Sequence, residues 1–349
     1  MRAGDSTGER RCVLVTGAAG VLGSAVVSAL EGHDVIRLRR GSGCADWGDV
    51  FGDVREPRLG LGALYAELRR QVDCVVHCAA TSNYASREVD VRAINVTGTE
   101  NVLDFCADAE AHLYHVGTAF DRVGEAAEGQ PESLFSRQPY LRSKRDAEQL
   151  VRTSGVPATA VRPSLIIGDR ETGFVPRFQG IHTMTRLLLT STYGVVPAEP
   201  DHRADFLPRD TVAEAIACLV EDGMTPEECW LTAGDAALTM GAMVDLAVEY
   251  GRSAGFDPQA PRFMEREVID RLVRPALIPE LPRRERQRFE YVLEYVSEVN
   301  HVGVLPSSLG DFAGRIPIPT TADLEQAFLN TLHYWGRVSG IVPAAVKVE

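Results

Sequence analysis

The fold is decided by the stretch Val13-Leu14-Val15-Thr16-Gly17-Ala18-Ala19-Gly20-Val21-Leu22-Gly23, near the start of the 349-residue chain. An apolar run is followed there by three glycines at a GxxGxxG spacing and by a second apolar segment. Glycine permits a tight turn and lets backbone N–H groups approach a pyrophosphate, while the N-terminus of a following helix adds partial positive charge. The spacing therefore predicts a dinucleotide-binding loop between a first strand and a first helix; a plain turn is the alternative.

Outward from this loop, short apolar runs alternate with longer amphipathic segments as far as about Val161. The predicted strands are Cys12–Thr16, Asp34–Leu38, Asp49–Phe51, Asp73–Cys78, His112–Val116 and Ala158–Val161. The predicted helices are Val21–Leu30, Leu61–Arg70, Val89–Cys106 and Tyr140–Thr153. Strands that are apolar on both faces and separated by helices are typical of βαβ units around a buried parallel sheet. The sequence therefore predicts an α/β fold with a Rossmann-type, doubly wound parallel sheet.

The rest of the chain predicts a second, smaller unit. Gly, Pro and Arg become frequent after Gly168, and a core-like pattern returns at Asp210–Val220 and Trp230–Gly234. Thr320 or Thr321 is placed to cap a helix with an apolar face formed by Leu324, Phe328, Leu332 and Trp335. We expect a dinucleotide-binding domain over residues 11–168 plus about 205–240, and a mostly helical C-terminal substrate-binding lobe over about 169–204 plus 241–349.

Charge and composition argue against several classes of function. The chain has 36 Lys and Arg residues against 49 Asp and Glu, a net charge of −13, which disfavours broad binding to nucleic acids or anionic membranes. No stretch approaches the ~18 apolar residues of a membrane span, and the opening MRAGDSTGERR contains no apolar signal core. The seven cysteines form no CxxC pair, and an odd number cannot close into a complete disulfide set. We expect a soluble, cytoplasmic protein with free thiols.

The end of the second predicted strand indicates which dinucleotide is bound. An NAD enzyme usually carries an acidic residue roughly 20 residues beyond the glycine loop, where it binds the ribose hydroxyls. This chain has Leu38-Arg39-Arg40-Gly41 at that place. Guanidinium groups suit a 2′-phosphate, which a carboxylate would repel, so the pair favours NADP(H); the alternative is a solvated strand end. Asp53, after the third predicted strand, is a candidate to bind the adenine amino group or, alternatively, to cap its own loop.

The candidate catalytic pair is Tyr140 and Lys144, which lie one helical turn apart and therefore on one face of a helix. A neighbouring cation lowers the pKa of an acid by ~1–3 units, which brings a phenol with an ordinary pKa of about 10 towards the useful general-acid range. Thr118 follows the fifth predicted strand, at the edge where α/β folds bind ligands, and can hydrogen-bond the same carbonyl oxygen as Tyr140. Asn95 is a candidate support for Lys144, with packing inside its helix as the alternative.

Together these residues resemble the extended short-chain dehydrogenase/reductase superfamily. The chain is most similar to its thioester reductase branch, which includes carboxylic acid reductases, terminal reductase domains of nonribosomal peptide synthetases and male-sterility-type fatty acyl reductases. The resemblance rests on Gly52–Leu61, on Val76–Ala80 leading to Asn95–Thr99, on His115–Phe120, and on Val161–Ser164 through Gly168–Gly173. It extends over about residues 11–235, whereas the C-terminal part is much less recognisable.

The resemblance implies that Thr118, Tyr140 and Lys144 form the catalytic set and that NADP(H) is the cofactor. With the residue reasoning above, the predicted cofactor-binding residues are Thr16, Gly17, Gly20, Val21, Leu22, Gly23, Arg39, Arg40, Asp53, Val54, Ala79, Ala80, Asn95, Lys144, Pro163 and Ser164. The chain departs from the family pattern in two places: Gly117 replaces a common Ser, and Arg170-Glu171 replaces a Ser-Arg pair. The first leaves the threonine hydroxyl in place, and the second leaves the acyl substrate open.

The predicted reaction is the NADPH-dependent reduction of an acyl thioester to an aldehyde, with further reduction to the alcohol left open. Fold and cofactor do not define the substrate. The alternatives are therefore an NADP-dependent ketone or aldehyde reductase and a sugar-nucleotide dehydratase or epimerase, which use the same Tyr and Lys. A non-catalytic NADP(H)-sensing or scaffold protein fits less well, because the chain keeps Tyr140, Ser143 and Lys144.

The acyl group is expected on coenzyme A or on a separate acyl-carrier protein, because no carrier or adenylation module fits within the 349 residues. Six arginines are candidates for docking an acidic carrier: Arg271, Arg274, Arg283, Arg284, Arg286 and Arg288. The alternative is a solvated helix face, since Glu280, Glu285 and Glu290 are interleaved with them. No nucleic-acid partner is predicted, and the oligomeric state is not indicated.

No metal site is predicted. His112 and His115 have an HxxH spacing, and Cys74, His77 and Cys78 lie close together. Both groups lie on or beside strands that are predicted to be buried, where successive side chains point to opposite faces. Ordinary core packing is therefore the preferred interpretation of these residues.

Overall fold

The computed structural model describes residues 10–41, 48–81, 87–120, 139–190, 195–258, 261–301 and 303–341. The chain forms two compact units. The first comprises Met1–Pro163, Asp210–Leu231 and Ser308–Pro317, and the second comprises Ser164–Arg209, Thr232–Ser307 and Ile318–Glu349. The chain thus leaves the first unit after Pro163 and returns to it twice.

Strands and helices alternate through most of the chain. The strands are β1 (Cys12–Thr16), β2 (Asp34–Arg39), β3 (Asp49–Phe51), β4 (Cys74–His77), β5 (His112–Val116), β6 (Ala158–Pro163), β7 (Leu165–Ile167), β8 (Val195–Val196), β9 (Arg203–Ala204), β10 (Phe206–Pro208), β11 (Glu228–Leu231), β12 (Leu238–Thr239), β13 (Arg262–Phe263) and β14 (Asn300–His301). The helices are α1 (Val21–Ala29), α2 (Tyr65–Leu68), α3 (Glu88–Arg92), α4 (Gly98–Ala109), α5 (Pro139–Thr153), α6 (Gly180–Thr190), α7 (Arg209–Asp222), α8 (Met240–Ser253), α9 (Arg266–Val268), α10 (Arg274–Leu277), α11 (Arg283–Val299) and α12 (Thr321–Ser339).

The first unit is built on a seven-stranded sheet in the order β11-β6-β5-β4-β1-β2-β3, in which all neighbouring strands are parallel. From β1 the chain adds β2 and β3 on one side and then β4, β5, β6 and β11 on the other, so the strand order reverses between β1 and β4. In open parallel sheets, ligands bind at such a reversal, beyond the carboxyl ends of the strands. The predicted α/β fold with a Rossmann-type sheet is confirmed.

The predicted strands agree closely with the observed ones, and the central strands of the sheet are buried on both faces. Val13, Leu14 and Val15 of β1 have no exposed surface, and β4 is buried over its whole length. Three strands have the predicted bounds, β2 is one residue longer, and β6 continues to Pro163. The predicted strand Asp73–Cys78 is one residue too long at each end, because β4 is Cys74–His77. For these central strands, apolar runs of four to six residues were therefore a sufficient signal.

The helix predictions differ in accuracy. The observed α1 and α5 agree with their predicted bounds to within one residue. The predicted helix Leu61–Arg70 is wrong at both ends, because only Tyr65–Leu68 forms an α-helix. Gly60 and Gly62 have φ angles of +63° and +56°, which lie in the left-handed region that a right-handed helix excludes.

The second unit contains the C-terminal helix that the sequence predicted. Thr320 is its cap: the hydroxyl accepts the N–H of Asp323 at 3.3 Å, and the Asp323 carboxylate accepts the N–H of Thr320 at 2.9 Å. This reciprocal pair is a capping box. The four apolar residues predicted to share one face of α12 are no more than 3% exposed: Leu324, Phe328, Leu332 and Trp335. Phe328 packs against Phe206 of the same unit, with ring centroids 5.6 Å apart.

Two further observations concern the described residues of both units. Within the described ranges, no helix is both long enough and apolar enough to cross a bilayer. The cysteines in these ranges are all free thiols: Cys12, Cys74, Cys78, Cys106, Cys218 and Cys229. Cys44 lies outside the described residues.

Candidate active site

The glycine loop joins β1 to α1 and leaves the first turn of the helix open. Gly17 has a φ of +67°, and a Cβ there would lie 2.7 Å from the backbone nitrogen of Ala79. At Gly23, a Cβ would lie 2.2 Å from the carbonyl oxygen of Gly17. The residue before α1 is Gly20, which has no side chain to cap the helix, and the first turn contains no acidic residue. The backbone N–H groups of this turn, which begins with Val21 and Leu22, therefore suit an anion such as a dinucleotide pyrophosphate.

The two arginines at the end of β2 are in different environments. Arg39 Nη1 forms an ion pair with Asp49 Oδ2 at 2.8 Å, and Arg37 also pairs with Asp49. Burial alone would raise the pKa of Asp49, but hydrogen bonds from Arg39 and Arg37 lower it below the ordinary value. Arg40 is exposed and close enough to Asp53 to contribute to the lowered pKa of that carboxyl group. Of the two predicted 2′-phosphate ligands, Arg39 is thus already bound to a carboxylate.

Asp53 is engaged by its own loop. Its Oδ1 accepts the backbone N–H of Arg55 at 3.0 Å, and its Oδ2 accepts a guanidinium N–H of Arg55 at 2.6 Å. These hydrogen bonds hold the pKa of Asp53 below its usual range. The neighbouring Val54 is buried, and its carbonyl oxygen accepts an N–H of Asn101 at 2.7 Å. Asp53 therefore caps its own loop in this structure, which is the alternative that the sequence left open.

Beneath the glycine loop lies a buried histidine with a hydroxyl partner on each side. His77, the last residue of β4, is 2% exposed. Its Nδ1 lies 2.7 Å from Thr16 Oγ1, and its Nε2 lies 3.2 Å from Thr99 Oγ1. Thr16 Oγ1 also accepts the N–H of Ala79 at 3.2 Å. The residue before the first glycine is thereby linked to α4 through the end of β4.

Asn95 lies in a π-helical turn, Ala93–Thr97, that interrupts the predicted helix Val89–Cys106. It is 2% exposed; its Oδ1 accepts the N–H of Thr81 at 2.8 Å, and its Nδ2 donates to Thr81 O at 3.2 Å and to Ser143 Oγ at 2.9 Å. Ser143 Oγ donates to the carbonyl oxygen of Tyr140 at 2.6 Å. π-Helical turns are frequent at functional sites because they re-aim one side chain. Asn95 here contacts the helix that carries Tyr140 through Ser143.

Lys144 is buried against the end of β5. It is 6% exposed, and its Nζ donates to the carbonyl oxygen of Val116 at 2.9 Å. Thr118 follows that strand end, is also 6% exposed, and uses its hydroxyl oxygen to accept the N–H of Phe120 at 3.3 Å. Tyr140 lies one turn before Lys144 on α5. The three predicted catalytic residues therefore lie on two segments that the ammonium group of Lys144 joins.

A buried ion pair lies behind this edge of the sheet. The guanidinium group of Arg162 in β6 pairs with Glu148 of α5, and the two side chains are 0% and 6% exposed. Arg162 Nη1 also donates to the carbonyl oxygen of Thr118 at 3.4 Å, and its guanidinium carbon lies 5.0 Å from the centre of the Trp230 ring. Glu228 is a more distant partner at 3.4 Å. Arg162 thus connects α5, β6 and the segment that carries Thr118.

The remaining predicted residues follow β4 and β6. Ala80 is exposed after β4. Pro163 ends β6, and its carbonyl oxygen accepts the N–H of Ala119 at 2.9 Å. Ser164 opens the second unit; it is 6% exposed, and its Oγ has no hydrogen-bond partner within the described residues. The cofactor-binding roles of these residues stay predictions.

In the second unit, the loop that departs from the family pattern packs on α12. Arg170 accepts a hydrogen bond at its carbonyl oxygen from Asn330 Nδ2 at 2.8 Å, and the N–H of Gly168 donates to Thr331 Oγ1 at 3.1 Å. A Cβ at Gly173 would lie 2.0 Å from the carbonyl oxygen of Asn330. The backbone of this loop, and not the side chain of Arg170, makes these contacts.

The sequence predicts only core packing for the histidines, but His77 and His112 have different surroundings in the structure. His112 Nε2, at the start of β5, lies 3.0 Å from Thr159 Oγ1, whereas His77 lies between Thr16, which precedes the glycine loop, and Thr99 of α4. No group of three His, Cys, Asp or Glu side chains in the described part of the chain is placed to hold a metal ion. The available signal for His77 was its position at the end of a strand directly before Cys78-Ala79-Ala80.

Comparison with known proteins finds one matching family model and several sequence relatives. Residues 49–216 match an NAD-binding family model described as male sterility protein. The chain is 26% identical over 282 residues to a hybrid PKS-NRPS synthetase of Talaromyces variabilis, covering 73% of this chain and 6% of that protein. It is 29% identical over 213 residues to the isonitrile lipopeptide synthase of Streptomyces coeruleorubidus, covering 58% and 14%. The chain thus spans only a small part of the length of these relatives.

Among solved structures, the terminal R domain from the myxalamid PKS-NRPS biosynthetic pathway superposes with a TM-score of 0.72 at 21% identity, covering 97% of this chain and 93% of that one. At this identity the likeness concerns the fold. The match to the family model and the sequence relatives confirm the resemblance seen in the motifs. Residues 49–216 of this chain are thus similar to the male sterility protein family, and the chain as a whole shares its fold with the terminal R domain.

Proposed function

We propose that this protein is an NADPH-dependent reductase that converts an acyl thioester into an aldehyde and a free thiol. The observation that carries the proposal is the buried contact between Lys144 Nζ and Val116 O, at 2.9 Å. It holds a cation at the strand end that leads to Thr118 and one helical turn from Tyr140. The open N-terminal turn of α1 beside the glycine loop suits the dinucleotide that such chemistry requires.

In the proposed reaction, the hydroxyl groups of Thr118 and Tyr140 donate hydrogen bonds to the carbonyl oxygen of the thioester. These bonds strengthen as negative charge develops on that oxygen, and Tyr140 then transfers its proton to it. The ammonium group of Lys144 stabilises the phenolate that this transfer leaves. When bound, the dinucleotide supplies the hydride that adds to the carbonyl carbon. The resulting hemithioacetal loses its hydroxyl proton as the carbon–sulfur bond breaks, which yields the aldehyde and, after protonation of the sulfur, the thiol.

The preference for NADP(H) rests on Arg40. Its guanidinium group is exposed at the end of β2, whereas that of Arg39 is paired with Asp49. A charge-assisted bond to a 2′-phosphate contributes about 1.5–3 kcal/mol, so Arg40→Ala should reduce the ratio of kcat/KM for NADPH to that for NADH by about 10- to 100-fold. Arg69→Ala, which removes an exposed arginine elsewhere on the first unit, is the matched control. Equal ratios for the Arg40 variant and wild type would contradict the assignment.

The acyl group is proposed to arrive on a phosphopantetheine arm, and the arginines of the second unit are candidates for docking its carrier. Arg271, Arg283 and Arg284 are exposed, whereas Arg274 is paired with Glu290 at 2.7 Å and with Asp270 at 3.4 Å. The side chain of Arg288 lies outside the described residues. Docking therefore depends on fewer arginines than the sequence suggested.

Charge reversal tests this docking. The double variant Arg283→Glu and Arg284→Glu should raise the KM for an acyl-carrier substrate and leave the KM for the same acyl group on coenzyme A unchanged. Salt should reduce the difference, because exposed charges are screened. If the double variant and the wild type have equal KM values for the acyl-carrier substrate, these arginines do not dock the carrier.

The central test uses Tyr140→Phe with acyl-CoA, acyl-carrier and aldehyde substrates. Removing one donor to a developing oxyanion costs on the order of 10²–10³ in rate, so kcat should fall by that factor while the Kd for NADPH stays at the wild-type value. Each turnover is followed by nucleotide absorbance and by free-thiol release. Wild-type turnover of aldehydes or ketones without thioester reduction would support the free-carbonyl alternative. Near-wild-type kcat in the Phe variant would eliminate the assignment of Tyr140.

We also propose a cytoplasmic location. The six described cysteines are free thiols, and such thiols persist in reducing compartments. Burial raises the pKa of the thiols of Cys74 and Cys106 to about 12, which keeps them protonated and unreactive. Cell fractionation followed by detection of the chain tests the location.

A further inference from the structure

The buried side chains below the glycine loop form one continuous hydrogen-bonded path whose direction can be worked out. His77 lies between Thr16 Oγ1, at 2.7 Å from Nδ1, and Thr99 Oγ1, at 3.2 Å from Nε2. Thr16 and Thr99 are 0% and 1% exposed. Thr16 directly precedes Gly17, and Thr99 directly follows the first residue of α4. The path therefore begins at the glycine loop and reaches the helix that continues the π-helical turn.

Counting protons assigns the tautomer of His77. Thr99 Oγ1 lies 2.8 Å from the carbonyl oxygen of Asn95, which can only accept, so the single hydroxyl proton of Thr99 is donated there. Thr99 Oγ1 must then accept the proton of His77 Nε2. In a neutral imidazole the other nitrogen has no proton, so Nδ1 accepts the hydroxyl proton of Thr16. Thr16 Oγ1 in turn accepts the N–H of Ala79 at 3.2 Å, so every group has a consistent role.

The charge state of His77 agrees with this assignment. Burial, with a smaller contribution from the nearby Lys144, lowers the pKa of His77 to about 3. The ring of His115 lies 5.5 Å from that of His77, and its pKa is also well below the ordinary value, mainly through burial. Neither ring adds positive charge beside Lys144 at neutral pH. In a protonated His77 both ring nitrogens would be donors, so Nδ1 could not accept the hydroxyl proton of Thr16.

Beyond Thr99, the path continues to the catalytic helix. The carbonyl oxygen that accepts the Thr99 proton belongs to Asn95, whose side chain donates to Ser143 Oγ at 2.9 Å. The hydroxyl group of Ser143 donates a hydrogen bond to the carbonyl oxygen of Tyr140 at 2.6 Å. Each hydroxyl group again has one proton and one acceptor. The first turn of α5 is therefore tied, through Asn95 and His77, to the strand that ends at the glycine loop.

We propose that His77, as the neutral Nε2–H tautomer, is a positioning residue that sets Tyr140 relative to the bound dinucleotide. It contacts neither substrate nor cofactor and acts through Thr16 on one side and through Thr99 and Asn95 on the other. The inference rests on the proposed function for its kinetic consequences only. The tautomer and the effects on dinucleotide binding do not depend on which substrate is reduced.

Two substitutions at His77 separate the two ends of the path. In His77→Asn, the amide oxygen occupies the place of Nδ1 and can still accept from Thr16, but the donor to Thr99 is lost. In His77→Gln, the amide nitrogen reaches the place of Nε2 and can still donate to Thr99, but the acceptor for Thr16 is lost. We expect the Asn variant to lose about tenfold in kcat with a Kd for NADPH within about twofold of wild type. We expect the Gln variant to weaken NADPH binding by about tenfold and to retain most of its kcat.

Thr99 provides the isosteric test. Thr99→Val removes the hydroxyl group without changing the shape of the side chain and should lower kcat about tenfold, whereas Thr99→Ser should restore it. The matched control is Thr159→Val, because Thr159 is also fully buried and also joins a histidine, His112 at 3.0 Å, to a carbonyl oxygen. That control should lower the melting temperature and leave kcat unchanged. Equal kcat in Thr99→Val and Thr99→Ser, or a loss in Thr159→Val equal to that in Thr99→Val, would overturn the positioning role.

The tautomer itself is measurable without any activity. In ¹⁵N-labelled protein at neutral pH, the ring nitrogens of His77, assigned by comparison with His77→Asn, should show a protonated Nε2 and an unprotonated Nδ1. An Nδ1–H tautomer or a charged ring would overturn the inference. If wild type reduces no thioester but the tautomer and the NADPH affinities are as expected, the proposed substrate is wrong and the path below the glycine loop stands.

Discussion

Glu148→Ala should destabilise the first unit strongly, because it leaves a charge in the interior. Arg162 has 0% side-chain exposure, and a guanidinium group cannot release its proton to escape burial. Breaking a buried ion pair from one side costs about 3–5 kcal/mol. The cation keeps two other neighbours: Glu228, which is 32% exposed and 3.4 Å away, and the Trp230 ring at 5.0 Å. We therefore expect a loss in the free energy of unfolding at the lower end of this range, about 3 kcal/mol. Since Arg162 also donates to Thr118 O, kcat should fall as well.

The measurement is urea-induced unfolding, followed by circular dichroism and tryptophan fluorescence. The control is Asp222→Ala, which removes one partner of the ion pair between Arg315 and Asp222 on the same unit. Both of those side chains are 42% exposed, so the loss should be below about 1 kcal/mol. If Glu148→Ala and Asp222→Ala reduce the free energy of unfolding equally, burial does not decide the strength of these pairs, and the reasoning is refuted.

Three other perturbations test the remaining elements. Gly23→Ala should lower kcat/KM for NADPH about 100-fold, because a Cβ 2.2 Å from Gly17 O forces α1 away by about 1 Å and so misplaces the dinucleotide; an unchanged kcat/KM would contradict the loop assignment. Thr320→Ala should lower the free energy of unfolding by about 1 kcal/mol, because it removes the cap of α12, and Thr320→Ser should restore it. The pKa of Asp49 is lowered in the folded state, so its contribution to stability is present above the unfolded pKa of about 4 and is lost as pH falls below it; Asp49→Asn should flatten that part of the stability profile measured by urea unfolding.

The sheet and the glycine loop were predictable because their signals are local. A strand buried on both faces is a short apolar run, and a turn that brings backbone against backbone needs glycine at the contact. Gly17 and Gly23 show this directly, since a Cβ at either would collide with backbone atoms. The helix at Tyr140–Lys144 was equally accessible, because its pair of side chains is one turn apart.

Elements set by unusual backbone angles were not accessible. Leu61–Arg70 has a helical pattern, but the left-handed conformations of Gly60 and Gly62 delay the helix until Tyr65. Likewise, the pattern of Val89–Cys106 does not reveal the π-helical turn, because one extra residue in a turn barely changes the periodicity. That extra residue sets where Asn95 lies relative to α5.

The sequence by itself therefore determined the class of fold and the position of the glycine turn, because each depends on neighbours within a few positions. The reacting residues that it indicates, Thr118, Tyr140 and Lys144, stay predictions. Only the tertiary structure decided what surrounds them: the neutral His77 between two threonines, the pairing of Arg39 with Asp49, and the burial of Arg162 against Glu148. Those partners come from separate strands and helices. Their pairing depends on which strands lie side by side in the sheet and on the extra residue in the π-helical turn Ala93–Thr97. No local sequence pattern encodes either feature.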